Sequence, residues 1–232
     1  MLLRKLLSTS PAVARALPFV IFVLLTSGQG MFGVSSAYWL YLFKTLVGFW
    51  LIFEVRPFVA EMRWAFSWEA VVVGVAVFAV WVGISGEWTT QNSLWVKLGI
   101  SHPPSKPPPV WDPFEQFGPV LAWVFIAVRI LGSALIVPPI EEIFYRSFLY
   151  RFIARQNFLS VPLNAFLPVP FFTAAAIFGF SHNEWLAAIC CGILFQWLVL
   201  RKNRLGDAMT AHAITNFLLG VWVVGKHDWN FW

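Results

Sequence analysis

An all-α, polytopic transmembrane bundle of about eight helices is the fold this chain predicts, and three observations predict it. Of its 232 residues, 59% are hydrophobic and only 12% charged, and the mean hydropathy of +0.72 exceeds what a soluble domain of this length needs. The apolar runs reach helix length without the alternation of an outer-membrane barrel. Because a bilayer requires every backbone N–H and C=O to be paired within the protein, the helix is what remains. Tryptophans gather near the ends of these runs, at Trp39, Trp50, Trp64, Trp68, Trp81, Trp88 and Trp123, where amphipathic rings prefer the headgroup zone.

A helix crossing ~30 Å of hydrocarbon uses about 20 residues, leaving room for about seven or eight spans with their loops. The chain reads as one integral membrane domain over 1–232, with N-terminal helices over 17–137, a Pro-rich loop at 86–118 and a four-helix half over 138–224. Arg4, Lys5 and Arg15 precede the first run, Leu17 to Thr26, in the manner of a signal peptide. Gly28-Gln29-Gly30 is no convincing small-x-small cleavage site, so a retained span is expected. Further runs cover Ala37 to Phe53, Trp68 to Ser85 and Pro119 to Val137. Pro103 to Pro109 predicts an extended, polyproline-like surface segment. Pro138-Pro139 predicts a helix break, since proline clashes with the preceding turn. After it, helices are expected over Ile140 to Gln156, Phe166 to His182, Trp185 to Leu200 and Asp207 to Val224. No internal repeat is visible.

The net charge of +5 does not point to nucleic acid, because the basic residues stand in short loops between spans, where topology signals belong. Those signals conflict: Arg151, Arg155, Arg201, Lys202 and Arg204 mark one membrane face, yet eight crossings put the basic N-terminus on the other. Cys190 and Cys191 are adjacent within an apolar run and read as small packing residues, neither disulfide framework nor thiolate metal site. Lys44 and Arg129 interrupt apolar runs and read as snorkelling or helix packing, Arg129 also as a partner for a glutamate or a substrate carboxylate. Asp207 reads as the N-cap of the last helix.

Three polar clusters lie where hydrocarbon is expected: Glu141-Glu142-x-x-x-Arg146, Phe178-x-x-x-His182 and His212-x-x-x-Asn216. A charged side chain at mid-bilayer costs about 2.5–3.5 kcal/mol on insertion scales, so such groups pair with one another and serve chemistry. Glu142 and Arg146 are one helical turn apart and can form an intrahelical ion pair. Glu141 points about 100° away and cannot share that arginine equally. A glutamate in a dry pocket has its pKa raised and becomes a candidate general base; in the first turn after the proline break, free N–H groups moderate its charge. Taken singly, His182 is a capping residue at a helix end, and His212 with Asn216 is helix glue.

Taken in order, the three clusters resemble the CPBP intramembrane proteases, which include the Ras-converting CAAX endopeptidases and bacteriocin-processing or immunity proteins. The resemblance covers about Pro138 to Gly220. The size and Trp-rich style are similar to the CAAX-protease-related proteins that accompany bacterial exosortase systems. The resemblance implies a glutamic endopeptidase in which Glu141, with His182, activates a water for attack on the scissile carbonyl. His212 and Asn216 then stabilise the oxyanion, while Glu142 and Arg146 hold the first glutamate in place. It implies no cofactor and no metal; its partners are the lipid bilayer and a membrane-associated peptide or protein substrate. The same His and Glu side chains could instead hold a catalytic zinc, although no His-Glu-x-x-His lies on one helix. A non-catalytic membrane partner or immunity protein that keeps the cluster as helix glue is the alternative function. A proton-moving transporter ranks last, for want of paired broken helices.

Overall fold

A computed structural model of the chain describes residues 2–86, 89–103 and 110–232. From Pro104 onward the expected polyproline-like segment lies outside the described residues, as does Trp88. Ten helices and no strand occur among the described residues: α1 Leu2–Thr9, α2 Pro11–Ser27, α3 Val34–Val55, α4 Trp68–Ile84, α5 Gln91–Lys97, α6 Pro113–Gln116, α7 Pro119–Ala154, α8 Pro168–Phe180, α9 Trp185–Lys202 and α10 Gly206–Lys226. Four segments, Val34–Phe58, α7, α9 and α10, are long and apolar enough to cross a membrane, and α2, α4 and α8 are shorter apolar helices. The chain is a multi-pass membrane protein. Local chemistry starts these helices, and α2 begins at Pro11, ahead of the expected Leu17. Ser10 caps α2 through Val13 N with Pro11 at the first helical position, and Ser67 caps α4 through Ala70 N. Trp39, Trp50, Trp64, Trp68 and Trp123 are 48–75% exposed, as rings in an interfacial belt should be.

The break expected at Pro138-Pro139 does not occur. The helix runs from Pro119 to Ala154, 36 residues, and the two prolines sit between stretches of wider π-type turns, Gly132–Ile136 and Ile143–Leu149. Proline removes one N–H and pushes against the carbonyl a turn earlier. Where the turn is already widened by one residue, the lost bond and the clash are absorbed without ending the helix. The expected fourth and fifth spans are thus one helix, and the expected count near eight becomes seven apolar helices among the described residues. Glu141 is consequently deep inside α7, not in a first turn, and helix-terminal N–H groups do not moderate its charge.

The residues group into two units that do not follow chain order. Unit one comprises Met1–Arg63, Pro109–Phe144 and Asn216–Trp232; unit two comprises Trp64–Pro108 and Tyr145–Thr215. In unit one, α2 and α3 pack on each other and on the first part of α7, and Tyr38 of α3 joins Trp111, Phe117 and Phe125 in an aromatic core. The Tyr38 ring stacks on Trp111 with centroids 4.3 Å apart and meets the edge of Phe117 at 5.1 Å. Gly48 lets α3 and α7 approach: a Cβ there would lie 2.6 Å from Ile136 Cγ2. Arg15, 4% exposed, is held by Glu61, with Nη2 2.8 Å from Oε1.

In unit two, α4, α8, α9 and the first part of α10 pack through small residues, the usual means of close approach between membrane helices. A Cβ on Gly74 would lie 2.7 Å from the Ala211 carbonyl oxygen, and the Thr215 hydroxyl donates to the Gly74 carbonyl at 2.9 Å. Cys190 and Cys191 are free thiols, Cys191 buried. Asp207 does not act as the expected cap. Gly206 already lies within α10, which puts Asp207 inside the first turn, where its buried carboxylate accepts from Arg204 Nε at 2.5 Å and Nη2 at 3.2 Å.

Candidate active site

In unit two, Phe178 organises the site residues. Near the end of α8 its ring, 1% exposed, meets Arg146, His182 and His212 together. The Arg146 guanidinium carbon lies 4.4 Å from the ring centroid, the His182 ring 4.6 Å and the His212 ring 6.3 Å. A cation over an aromatic face away from water gains up to about 2 kcal/mol, which helps hold Arg146, itself only 2% exposed, at depth. His212 also stacks on Phe195 at 5.1 Å and is 5% exposed. Spacing alone places phenylalanine one turn before His182; that it also touches the residues of the other two motifs is a tertiary result.

The imidazole of His182 is oriented by its neighbours. Its Nδ1 lies 2.8 Å from the Phe178 carbonyl oxygen and 3.1 Å from Ser181 Oγ. A carbonyl can only accept, so the contact with Phe178 O calls for a proton on Nδ1. Ser181 Oγ in turn donates to the same carbonyl at 2.7 Å and accepts from the Tyr145 hydroxyl at 2.9 Å. Trp81 presents its edge to the imidazole at 5.9 Å.

Residues not singled out from the sequence hold the turn that carries His182. Gln91 Nε2 donates to the carbonyls of Phe180 and His182, both at 2.6 Å, and Gln91 N donates to Asn183 O at 2.8 Å. Thr89 Oγ1 donates to Glu184 Oε2 at 3.2 Å. Burial pushes the Glu184 carboxyl above its ordinary range, an effect that hydrogen bonds from neighbouring side chains partly offset. The available signal was Thr90, which caps α5 through Ser93 N; a capped helix start in a polar loop indicates ordered backbone but not what it grips.

Unit one contains Glu141, Glu142 and Asn216. Glu142 is fully buried and Glu141 half-buried, both in α7. Asn216 Nδ2 donates to the Ser133 carbonyl at 2.8 Å, which orients its side chain. That carbonyl lies in the first π-type stretch of α7, where widened turns leave backbone acceptors available to side chains.

Lys44 and Arg129 are more elaborately housed than helix packing requires. Lys44, 5% exposed, donates to Thr26 Oγ1 at 3.0 Å and Gln29 Oε1 at 3.1 Å. Its Nζ lies 4.5 Å from the Tyr41 centroid and 4.8 Å from that of Phe22. It does not snorkel. Arg129 is ringed by Tyr41, Trp111 and Trp232 at 4.8, 4.5 and 5.3 Å.

Among the described residues no three His, Cys, Asp or Glu side chains form a group that could hold a metal ion. Arg146, His182 and His212 around one ring, with the His182 imidazole oriented through Nδ1, make an arrangement suited to proton transfer and to hydrogen bonding of an anion.

Comparison with known families gives this arrangement a context. Residues 117–218 match the family model described as type II CAAX prenyl endopeptidase, Rce1-like. No curated protein and no solved structure matches the chain. All six polar residues of the three motifs, and Phe178 with them, fall inside the matched stretch, over which the chain is similar to the Rce1-like CAAX endopeptidases.

Proposed function

We propose that the chain is an intramembrane endopeptidase that hydrolyses a peptide bond of a membrane-associated or lipidated protein or peptide. The observation that carries the reading is that the family match spans Glu141, His182, His212 and Asn216. Glu141, with His182, takes a proton from water as it attacks the scissile carbonyl. With Nδ1 held by the Phe178 carbonyl, His182 has Nε2 to pass that proton on to the leaving amine. His212 and Asn216 donate to the oxyanion as it forms; one such donor is worth about 3 kcal/mol of barrier. Glu142 and Arg146, both buried, position the α7 segment that bears Glu141. Neither activity nor fold requires a cofactor in this scheme.

Glu141→Gln tests it, because the amide keeps size and hydrogen bonding while removing the base. Cleavage of a membrane-anchored reporter peptide should fall by about 10²–10⁴-fold. Undiminished cleavage would sink the peptidase reading and leave the membrane-partner role. Activity lost to a chelator and restored by zinc would transfer the mechanism to a metal.

The continuous α7 also removes the conflict between topology signals, and we propose the orientation that follows. Counting seven crossings along the chain, the N-terminal Arg4 and Lys5, the loops with Arg56 and Arg63 and with Arg155, and the turn with Arg204 all fall on one membrane side, as the positive-inside rule requires. The turn bearing His182 and Asn183 then emerges on the opposite side. Single cysteines introduced at Asn157 and Asn183, with Cys190 and Cys191 replaced by alanine, should react with a membrane-impermeant maleimide from opposite sides. Labelling of both from one side would break the seven-crossing count.

A further inference from the structure

Two side chains of unit two, Tyr145 and Ser181, are polar positions in none of the three motifs, yet they form a chain that ends at the imidazole of His182. Tyr145 is 1% exposed, and a phenol buried this deeply needs a partner for its hydroxyl. That hydroxyl lies 2.9 Å from Ser181 Oγ, just past the end of α8, and Ser181 Oγ lies 3.1 Å from His182 Nδ1. Gln91 grips the backbone on either side of Ser181, through the carbonyls of Phe180 and His182. What remains adjustable at Ser181 is its hydroxyl.

The protons along this chain have one consistent order. A serine hydroxyl carries one proton and two lone pairs. The Phe178 carbonyl lies 2.7 Å from Ser181 Oγ and 2.8 Å from His182 Nδ1. It can only accept, so it takes the serine proton and calls for another on Nδ1. With its own proton committed, Ser181 meets both the phenol and the imidazole as an acceptor, and Tyr145 is the donor. Without the phenol proton, the serine hydroxyl can turn and donate to Nδ1, which favours the tautomer protonated on Nε2. That tautomer presents an N–H where the proposed reaction needs a nitrogen that takes up a proton. We infer that Tyr145, acting through Ser181, is a positioning residue for His182: its hydroxyl keeps the serine an acceptor and so keeps the proton of the neutral ring on Nδ1. The inference rests on the peptidase reading for its purpose, but its spectroscopic test does not.

That test is the nitrogen-15 spectrum of the full chain in detergent micelles, labelled at histidine, with His182 identified by the signals that His182→Gln removes. On the neutral ring, wild type is expected to show a protonated Nδ1 and a bare Nε2. Tyr145→Phe removes one oxygen and should lower the ratio of the Nδ1–H to the Nε2–H tautomer by about five-fold, the worth of one ordinary hydrogen bond. The two nitrogen signals then approach each other. Ser181→Ala takes away the competing hydroxyl and leaves the Phe178 carbonyl, so the proton should stay on Nδ1, and adding Tyr145→Phe to it should move neither signal. A phenol that only fills space gives no such dependence on Ser181. Reporter cleavage by Tyr145→Phe should lose about two- to five-fold in kcat with KM unchanged. A proton on Nε2 in the neutral wild-type ring overturns the inference, as does a Tyr145→Phe spectrum identical with wild type or a shift that persists beside Ser181→Ala. In a chain that cleaves, unchanged kcat or a loss confined to KM overturns it too. A wild-type chain that cuts no peptide while the spectra follow the expected pattern sinks the peptidase reading and leaves the proton order standing.

Discussion

Units one and two handle polar groups in the same apolar surroundings by different means. Unit two orients its imidazoles through neutral contacts, His182 by a carbonyl and a hydroxyl and His212 by two phenylalanine rings, although Arg146 shares one of those rings. Unit one places charges among rings, with Lys44 over Tyr41 and Phe22 and Arg129 within an aromatic cage. Neutral hydrogen bonds set orientation and tautomer at little electrostatic cost. Ring contacts leave a charge largely intact and able to act on something else.

Changes that erase one side of this contrast should differ in size. Glu141→Gln in unit one is expected to have the largest effect, the 10²–10⁴-fold loss of cleavage given above, with the melting temperature nearly unchanged. Phe178→Leu in unit two removes the ring shared by Arg146, His182 and His212. It should lower stability by about 1–2 kcal/mol and cleavage by about ten-fold or more, read from thermal melts and kcat/KM. Full activity in that variant would show that the shared ring does not position the imidazoles.

The smallest effect concerns Glu184, beside the turn that carries His182. Its carboxyl pKa is raised in the folded chain, so the folded state binds more protons than the unfolded one. Its favourable contribution is present below the ordinary carboxylate value and is lost as pH rises through the raised value. Because the group is partly exposed, the change is expected to stay below about 1 kcal/mol. A series of melts from acidic to neutral pH should show a decline that Glu184→Gln flattens; a curve unchanged by the substitution removes Glu184 from the account.

Much of the molecule was legible along the chain because its determinants are local. Apolar runs placed α3, α4, α8, α9 and α10 within a few residues of where they lie, while α2 begins well before the expected Leu17 because Ser10 caps it and Pro11 suits its first turn. The fourth and fifth spans were misread, because a proline pair is a strong local signal whereas the π-type turns that accommodate it carry no sequence mark. Asp207 was misread for a related reason: whether an acid caps a helix depends on which residue enters the helix first, and Gly206 had already done so. Lys44 and Arg129 showed as anomalies in the sequence, but their cages come from residues as distant as Trp111 and Trp232.

By itself, the sequence determined that this is an α-helical membrane chain and which polar residues interrupt it, because hydropathy and motif order are read residue by residue. Tertiary structure alone decided that α7 continues through Pro138-Pro139, that Phe178 gathers Arg146 with both histidines, that the Phe178 carbonyl calls for a proton on His182 Nδ1, and that Lys44 and Arg129 share one tyrosine. Each of these depends on which distant group lies within a few ångströms, and in an apolar interior the nearest partner determines how a polar group is held.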